Sequence, residues 1–101
     1  MEKPHTIKTI EDIKTKINST AQKYGIEKVY LYGSYARGEA GHKSDIDICI
    51  EKGKLRSLFD LSGFCQDLEE ILESKVDVVT TAAISNDYRE HIEKDMILIY
   101  E

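Results

Sequence analysis

Two strand-like segments on either side of a Gly-Ser pair constrain this chain more than any other feature of its sequence. Residues 29–32 are Val-Tyr-Leu-Tyr, a β-branched and aromatic run that favours a strand, and Gly33 and Ser34 interrupt it. Residues 45–51 alternate acidic or polar residues with isoleucines, which is typical of a strand with one buried face. The sequence therefore predicts a strand, a turn with a short helix, and a second strand that keeps its acids on one face.

The Gly-Ser pair has the chemistry of a phosphate-binding turn. Gly33 allows positive φ and lets a ligand approach the backbone closely. Ser34 is able to accept a helix-capping bond or to donate its hydroxyl to a phosphate oxygen. A Gly-Ser pair alone usually marks only a turn, so the phosphate interpretation depends on the residues that come after it in the chain.

Three aspartates come after the turn and predict a metal site. Asp45 and Asp47 occupy alternate positions of the second strand, so their carboxylates lie about 6.6 Å apart on one face and both reach a hard divalent cation. Residues 75–80 predict a further strand, on which Asp77 is the third carboxylate. Alternating acids also occur on solvated or edge strands. The order of turn, paired acids and third acid nevertheless favours a site for Mg²⁺ and nucleotide phosphate.

The size and charge of the chain limit the kinds of partner that it is expected to bind. The 101 residues predict one small domain, residues 1–101, with a single modest core and no room for a second substrate-binding domain. The net charge of −5 argues against the basic surface with which proteins usually bind nucleic acid, so direct nucleic-acid binding is not expected.

The cysteines and the hydropathy pattern indicate a soluble, cytoplasmic protein. Cys49 and Cys65 have no ligand-like spacing to each other or to the three histidines, so we interpret both as reduced thiols. No run approaches the length of a transmembrane helix, and no membrane association is expected. The polar loop 39–44, which contains His42 and Lys43, is expected to be solvated.

The remaining periodicities complete an α/β pattern. Apolar residues three or four positions apart predict three long helices, over residues 7–24, 55–72 and 86–95. Gly25 ends the first, and Ser85 or Asn86 caps the third. Apolar or alternating runs predict four strands, over residues 27–32, 45–51, 75–80 and 96–100. Glu69, Glu70 and Glu73 are assigned to the solvated face of the second helix.

These elements predict an α/β (α+β) domain with a mixed β-sheet, helices packed mainly on one face, and the acidic site on the more open face. We expect that open face to carry Tyr30, Tyr32, Cys49 and either Leu98 or Tyr100. Exposed aromatic surface of this kind would bind a partner or a second copy, so both a homodimer and a hetero-oligomer are open expectations.

Residues 33–47, GSYARGEAGHKSDID, resemble the signature of the nucleotidyltransferases of the DNA polymerase beta superfamily. They are most similar to the minimal nucleotidyltransferase (MNT) proteins of prokaryotes, in which the pattern is typically GSxARGxxxxxSDID. The resemblance extends over nearly the whole chain, through KVDVV at residues 75–79 to the terminal ILIYE. It implies the polymerase-beta-like nucleotidyltransferase fold.

The resemblance also implies roles for individual residues. Gly33 and Ser34 match the positions that hold the nucleotide triphosphate. The three acids match the positions that bind magnesium and act in catalysis: Asp45, Asp47 and Asp77. Arg37 matches the motif too, and its guanidinium is expected either to bind nucleotide phosphate or to form a local ion pair that fixes the turn.

MNT proteins are commonly paired with small helical HEPN proteins in toxin–antitoxin modules, where they act as antitoxins by adenylylating the HEPN ribonuclease. The resemblance therefore implies a Mg²⁺-dependent nucleotidyltransferase that transfers AMP from ATP to a hydroxyl of a HEPN-type toxin. Two alternatives stay open. One is a non-catalytic antitoxin that occludes its partner. The other is a small-molecule nucleotidyltransferase, although the aminoglycoside-modifying relatives usually carry an extra domain.

Overall fold

The computed structural model describes residues 9–41 and 44–101. In this part of the chain the elements occur in the order α1 (Ile10–Tyr24), β1 (Lys28–Tyr32), α2 (Ser34–Arg37), β2 (Ile46–Glu51), α3 (Leu58–Leu72), β3 (Val76–Thr80), a 3-10 turn (Thr81–Ala83), α4 (Asn86–Glu93) and β4 (Ile97–Tyr100). The predicted helix start at residue 7 and the loop residues His42 and Lys43 lie outside the described residues. The order of helices and strands is the predicted one.

Side-chain caps determine where the helices begin. Thr9 caps α1 by accepting a hydrogen bond from the Asp12 amide at 3.0 Å, and the Asp12 carboxylate accepts one from the Thr9 amide in return. Ser57 caps α3 through the Asp60 amide, so this helix begins three residues later than its apolar pattern suggests. Leu55, which the pattern assigned to the helix, is instead buried in the preceding loop. Ser85 caps α4 as predicted.

The four strands form one mixed sheet in the order β3-β2-β1-β4. Strand β2 is parallel to β3, and β1 is antiparallel to both of its neighbours. Helices α1 and α3 pack on one face, where the alternating residues of the strands meet the helices in the main core. The largest fully buried side chains there are Phe64, Ile13, Ile17, Leu31, Ile46, Ile48, Ile50, Leu68 and Leu72. The mixed sheet and its main helical layer are confirmed.

Helix α4 covers part of the second face of the sheet, which was predicted to be open. Its Ile92 is buried against Tyr32 and Cys49, with Tyr30, Val79, Ile84 and Met96 packed around them. Cys49 is fully buried and Tyr32 is 9% exposed, so neither contributes to a docking surface. Tyr100 packs against the main core instead. The prediction of an open face is therefore wrong for Cys49 and Tyr32. Of the two residues predicted as alternatives, Leu98 is the exposed one.

Hydrogen bonds from Lys23 and Tyr24 to the Asp67 carboxylate join the two long helices, and the bond from Tyr24 is the shorter. The Tyr24 hydroxyl donates to the Asp67 carboxylate at 2.8 Å, while the Tyr24 ring meets Phe64 edge-on. Tyr24→Phe keeps the ring contact and removes the bond, so we expect the free energy of unfolding to fall by about 1 kcal/mol. Tyr30→Phe is the matched control, because among the described residues the Tyr30 hydroxyl has no hydrogen-bond partner. Equal urea midpoints for Tyr24→Phe, Tyr30→Phe and the unaltered protein would contradict this prediction.

Both cysteines carry free thiols, one buried and one half-buried. Within residues 9–41 and 44–101, none of the helices combines the length and the hydropathy that crossing a bilayer requires.

Candidate active site

Two of the predicted acids lie side by side in the sheet. In the parallel pair of β2 and β3, Asp47 is aligned with Asp77, and in the antiparallel pair of β1 and β2, Asp47 is aligned with Tyr32. Aligned residues project to the same face, so the three side chains form one row across the sheet. Asp77 is exposed, and Asp47 is half-buried. Asp45 lies one residue before β2 and is also half-buried.

The neighbouring charges affect the ionisation of Asp47. The pKa of the Asp47 carboxyl is raised above its ordinary value, first by burial and then by the negative charges of Asp77 and Asp45. The positive charge of Arg37 opposes this shift. The structure therefore brings the three predicted acids and the predicted arginine into one electrostatic site. Such a group of like charges is stabilised by a cation.

The Gly33 turn is in contact with this acidic row. Its φ of 77° and ψ of −152° lie in a backbone region that essentially only glycine adopts. A Cβ at this position would collide with Oδ2 of Asp47 and would lie 3.2 Å from its Cγ. The absence of a side chain at Gly33 thus lets the turn approach Asp47. The predicted turn is confirmed, and glycine is needed there because a side chain would collide with Asp47.

The short helix α2 carries the other two predicted phosphate-binding residues. Ser34 is its first residue and is half-buried, and its hydroxyl has no hydrogen-bond partner among residues 9–41 and 44–101. The Arg37 amide donates to the Gly33 carbonyl at 3.1 Å, and Gly38 ends the helix in the left-handed conformation. The Ser34 hydroxyl is therefore able to donate to a ligand next to the acids.

Arg37 forms two ion pairs. One is the local ion pair that the sequence suggested as an alternative to phosphate binding, and the other is with a distant residue. Its Nε donates to Glu39 at 3.1 Å, and its Nη1 donates to Asp95 at 2.8 Å. Hydrogen bonds to Asp95 and then Glu39 raise the pKa of the guanidinium, which stays positively charged. Sequence reasoning missed Asp95, because 58 residues separate it from Arg37 and no local pattern connects them.

The donor set fits magnesium only together with further ligands. Within the described ranges, no three His, Cys, Asp or Glu side chains are grouped closely enough to hold a metal ion by themselves. Protein-bound Mg²⁺, however, usually takes one or two carboxylates and completes its octahedron with substrate phosphates and water. The aligned Asp47 and Asp77, with Asp45 beside them, meet that smaller requirement.

Comparison with known proteins shows the family to which the chain is similar. A family model described as "Polymerase beta, Nucleotidyltransferase" matches residues 15–101. The chain is 44% identical, over 75 residues, to a Methanocaldococcus jannaschii protein named "Putative protein adenylyltransferase". The matched region covers 74% of this chain and 81% of the relative. It is 26% identical, over 95 residues, to the protein adenylyltransferase MntA of Thermococcus cleftensis, with 93% and 96% covered.

The fold is also found in a solved complex. A chain in the structure of the tri-AMPylated HEPN toxin of Shewanella oneidensis in complex with MNT antitoxin superimposes with a TM-score of 0.70. The match covers 90% of this chain and 71% of that one at 20% identity, which supports a common fold. The Gly-Ser turn, the acidic row and the matched sequence all lead to the same assignment. The chain therefore belongs to the minimal nucleotidyltransferases of the DNA polymerase beta superfamily, a group related to MntA-type protein adenylyltransferases.

Proposed function

We propose that this protein is a Mg²⁺-dependent adenylyltransferase that transfers AMP from ATP to a hydroxyl of a small HEPN-type toxin and thereby acts as its antitoxin. The observation that carries the proposal is the Asp47–Asp77 row in contact with the Gly33 turn. The names of the relatives support an adenylyl donor and a protein acceptor. The solved complex with an AMPylated HEPN toxin supports the class of partner.

In the proposed mechanism, the turn binds the phosphates of the nucleotide and the acids bind the metal ion. The Ser34 hydroxyl and the backbone at Gly33 hold the β- and γ-phosphates, and Arg37 donates to the same oxygens. Asp45, Asp47 and Asp77 hold magnesium. When bound, Mg²⁺ supplies the positive charge that offsets the charge developing on the α-phosphate and the departing pyrophosphate. Without it, the three carboxylates repel the nucleotide.

The transfer itself is a displacement at the α-phosphorus. The acceptor hydroxyl oxygen forms the new bond to phosphorus, and the bond to the bridging oxygen breaks, so that pyrophosphate leaves. The proton of the hydroxyl passes to a carboxylate of the row. We assign this step to Asp77, because it is the exposed member of the aligned pair and a side chain on another protein is able to reach it.

The surroundings of the site favour a protein acceptor in the cytoplasm. Because Asp77 is solvent-exposed, a large acceptor approaches it without entering an enclosed pocket. Both cysteines carry free thiols, which is the usual state in the reducing compartment where ATP is available.

The test is an intact-mass measurement on both proteins. The purified chain is incubated with Mg²⁺, ATP and the HEPN-type protein that co-purifies with it, in parallel with the Asp45→Asn, Asp47→Asn double variant. We expect the partner to gain the mass of one or more adenylyl groups with the unaltered protein only. A tight complex that silences the partner without any gain in mass would instead indicate an antitoxin that acts by occlusion.

A further inference from the structure

An ion pair between Arg37 and Asp95 links the phosphate turn to a distant part of the chain. Arg37 is the last residue of α2, and Asp95 lies in the turn that joins α4 to β4. Nη1 and Oδ2 are 2.8 Å apart, and 24% of the Asp95 side chain is exposed. The Asp95 amide donates to the carbonyl of the buried Ile92, so the turn that presents this carboxylate is itself fixed.

Arg37 needs such a link to keep one orientation. Helix α2 has only four residues, and a helix of this length has little stability of its own. An arginine side chain also loses rotamer entropy when it is held in one conformation. The second partner, Glu39, is two residues away on the same segment and is 65% exposed, so it moves with the turn. Among the residues that the structure describes, Asp95 alone attaches the guanidinium to a separate element.

The orientation of Arg37 matters because its helix begins directly after Gly33, where the turn approaches the Asp47 carboxylate. The two ion pairs use donors on Nε and Nη1. A guanidinium has five N–H donors in a rigid fork, so donors remain for an oxygen of a bound phosphate.

We propose that Asp95 is a positioning residue that holds the Arg37 guanidinium beside the Gly33 turn, where its remaining donors bind the polyphosphate of the nucleotide. The proposal rests on the proposed function only as far as nucleotide binding, and transfer to an acceptor is not required for it. Through Asp95, the turn between α4 and β4 would contribute to the affinity for the nucleotide without contacting the reacting atoms.

Affinity for a fluorescent ATP analogue in the presence of Mg²⁺ tests the proposal. We expect Asp95→Asn to weaken binding by roughly 3- to 10-fold, which corresponds to about 1 kcal/mol, and Asp95→Glu to restore most of it. In an Arg37→Ala background, Asp95→Asn should cause no further loss, because the residue acts through the guanidinium. In steady-state transfer assays, KM for ATP should rise with little change in kcat.

Asp87→Asn is the matched control for charge. Asp87 is an exposed acid in the first turn of α4, and it has no hydrogen-bond or ion-pair partner among the described residues. Loss of a negative charge does not by itself weaken the binding of an anionic ligand. We therefore expect Asp87→Asn to keep its affinity, and a weaker affinity in Asp95→Asn would show the positioning role. Thermal melts of all variants show whether a loss of nucleotide affinity results from destabilisation of the fold.

Three results would overturn the proposal. Unchanged affinity in Asp95→Asn would show that the ion pair is only structural, and tighter binding would show that Asp95 competes with phosphate for Arg37. Failure of the unaltered protein to bind the analogue would contradict both this proposal and the proposed function. Binding that depends on Asp95 without any adenylyl transfer would contradict the proposed function alone.

Discussion

Asp47→Asn should abolish nucleotidyl transfer and, in the absence of magnesium, make the folded protein more stable. We expect transfer to fall by roughly 10³-fold or more, because the variant loses a metal ligand at the centre of the acidic row. We also expect the melting temperature at neutral pH to rise by about 2–5 °C. Burial and the neighbouring charges of Asp77 and Asp45 oppose ionisation of this carboxylate, and Asn removes the charge.

The raised pKa of Asp47 determines the sign of the pH dependence. A carboxyl whose pKa is higher in the folded than in the unfolded chain destabilises the fold when it is ionised. The penalty is absent below the unfolded pKa, grows as the pH rises through the folded pKa, and is complete above it. The melting temperatures of Asp47→Asn and the unaltered protein should therefore converge near pH 4 and differ most at pH 7 and above, in EDTA.

Magnesium with a non-hydrolysable ATP analogue should reverse the order of stability. A ligand that binds only the folded state stabilises it, and the unaltered protein alone keeps the acids that bind the metal. Asp87→Asn, which removes an exposed acid outside the row, should leave both transfer and the effect of the ligand unchanged. Full transfer activity in Asp47→Asn, or a melting temperature below that of the unaltered protein at pH 7 in EDTA, would contradict this account.

The sequence predicts those features of the site that depend only on residues close together in the chain. Alternation with a period of two places the isoleucines of β2 in the main core and Asp47 on the opposite face, and it does so without reference to distant residues. The Gly33 turn is equally local, because glycine and serine affect only the backbone next to them. The predicted acid Asp77 also lies in the expected strand, where the parallel register aligns it with Asp47.

The contacts between distant segments could not be predicted in the same way. Helix α4 has eight residues and one buried side chain, Ile92, so its apolar pattern is too short to reveal that it covers Cys49. The ion pair of Arg37 with Asp95 depends on how α4 leads into β4, which no local pattern encodes.

Glu69 is a further example of a contact that its helical position hides. Its spacing on α3 suggests only a solvated residue, yet its carboxylate accepts a hydrogen bond from the Val76 amide at 3.2 Å. This bond fixes the first residue of the strand that carries Asp77. A residue assigned to solubility thus supports the acidic row, and only the packing of α3 beside β3 reveals it.

Gly33→Ala is expected to have the second-largest effect, because it changes both the backbone and the site. The backbone conformation at Gly33 costs any other residue about 1–3 kcal/mol, and the added Cβ must displace the Asp47 carboxylate. Displacing a catalytic group by about 1 Å reduces rates by roughly 10²-fold. We therefore expect a loss of 2 to 4 kcal/mol, to order of magnitude, in the free energy of unfolding, and transfer reduced by at least ~10²-fold.

Gly38→Ala separates the two causes. Gly38 also has positive φ, at 72°, but its ψ of 22° is the left-handed helical conformation, and nothing lies within 4 Å of the Cβ that alanine would add. This variant should lose only about 1 kcal/mol of stability and keep transfer within a few-fold of the unaltered protein. Urea denaturation and initial rates measure both quantities. If the two variants lose stability and activity equally, positive φ alone explains the loss. If only Gly33→Ala is inactive, the close approach of the turn to Asp47 is what transfer requires.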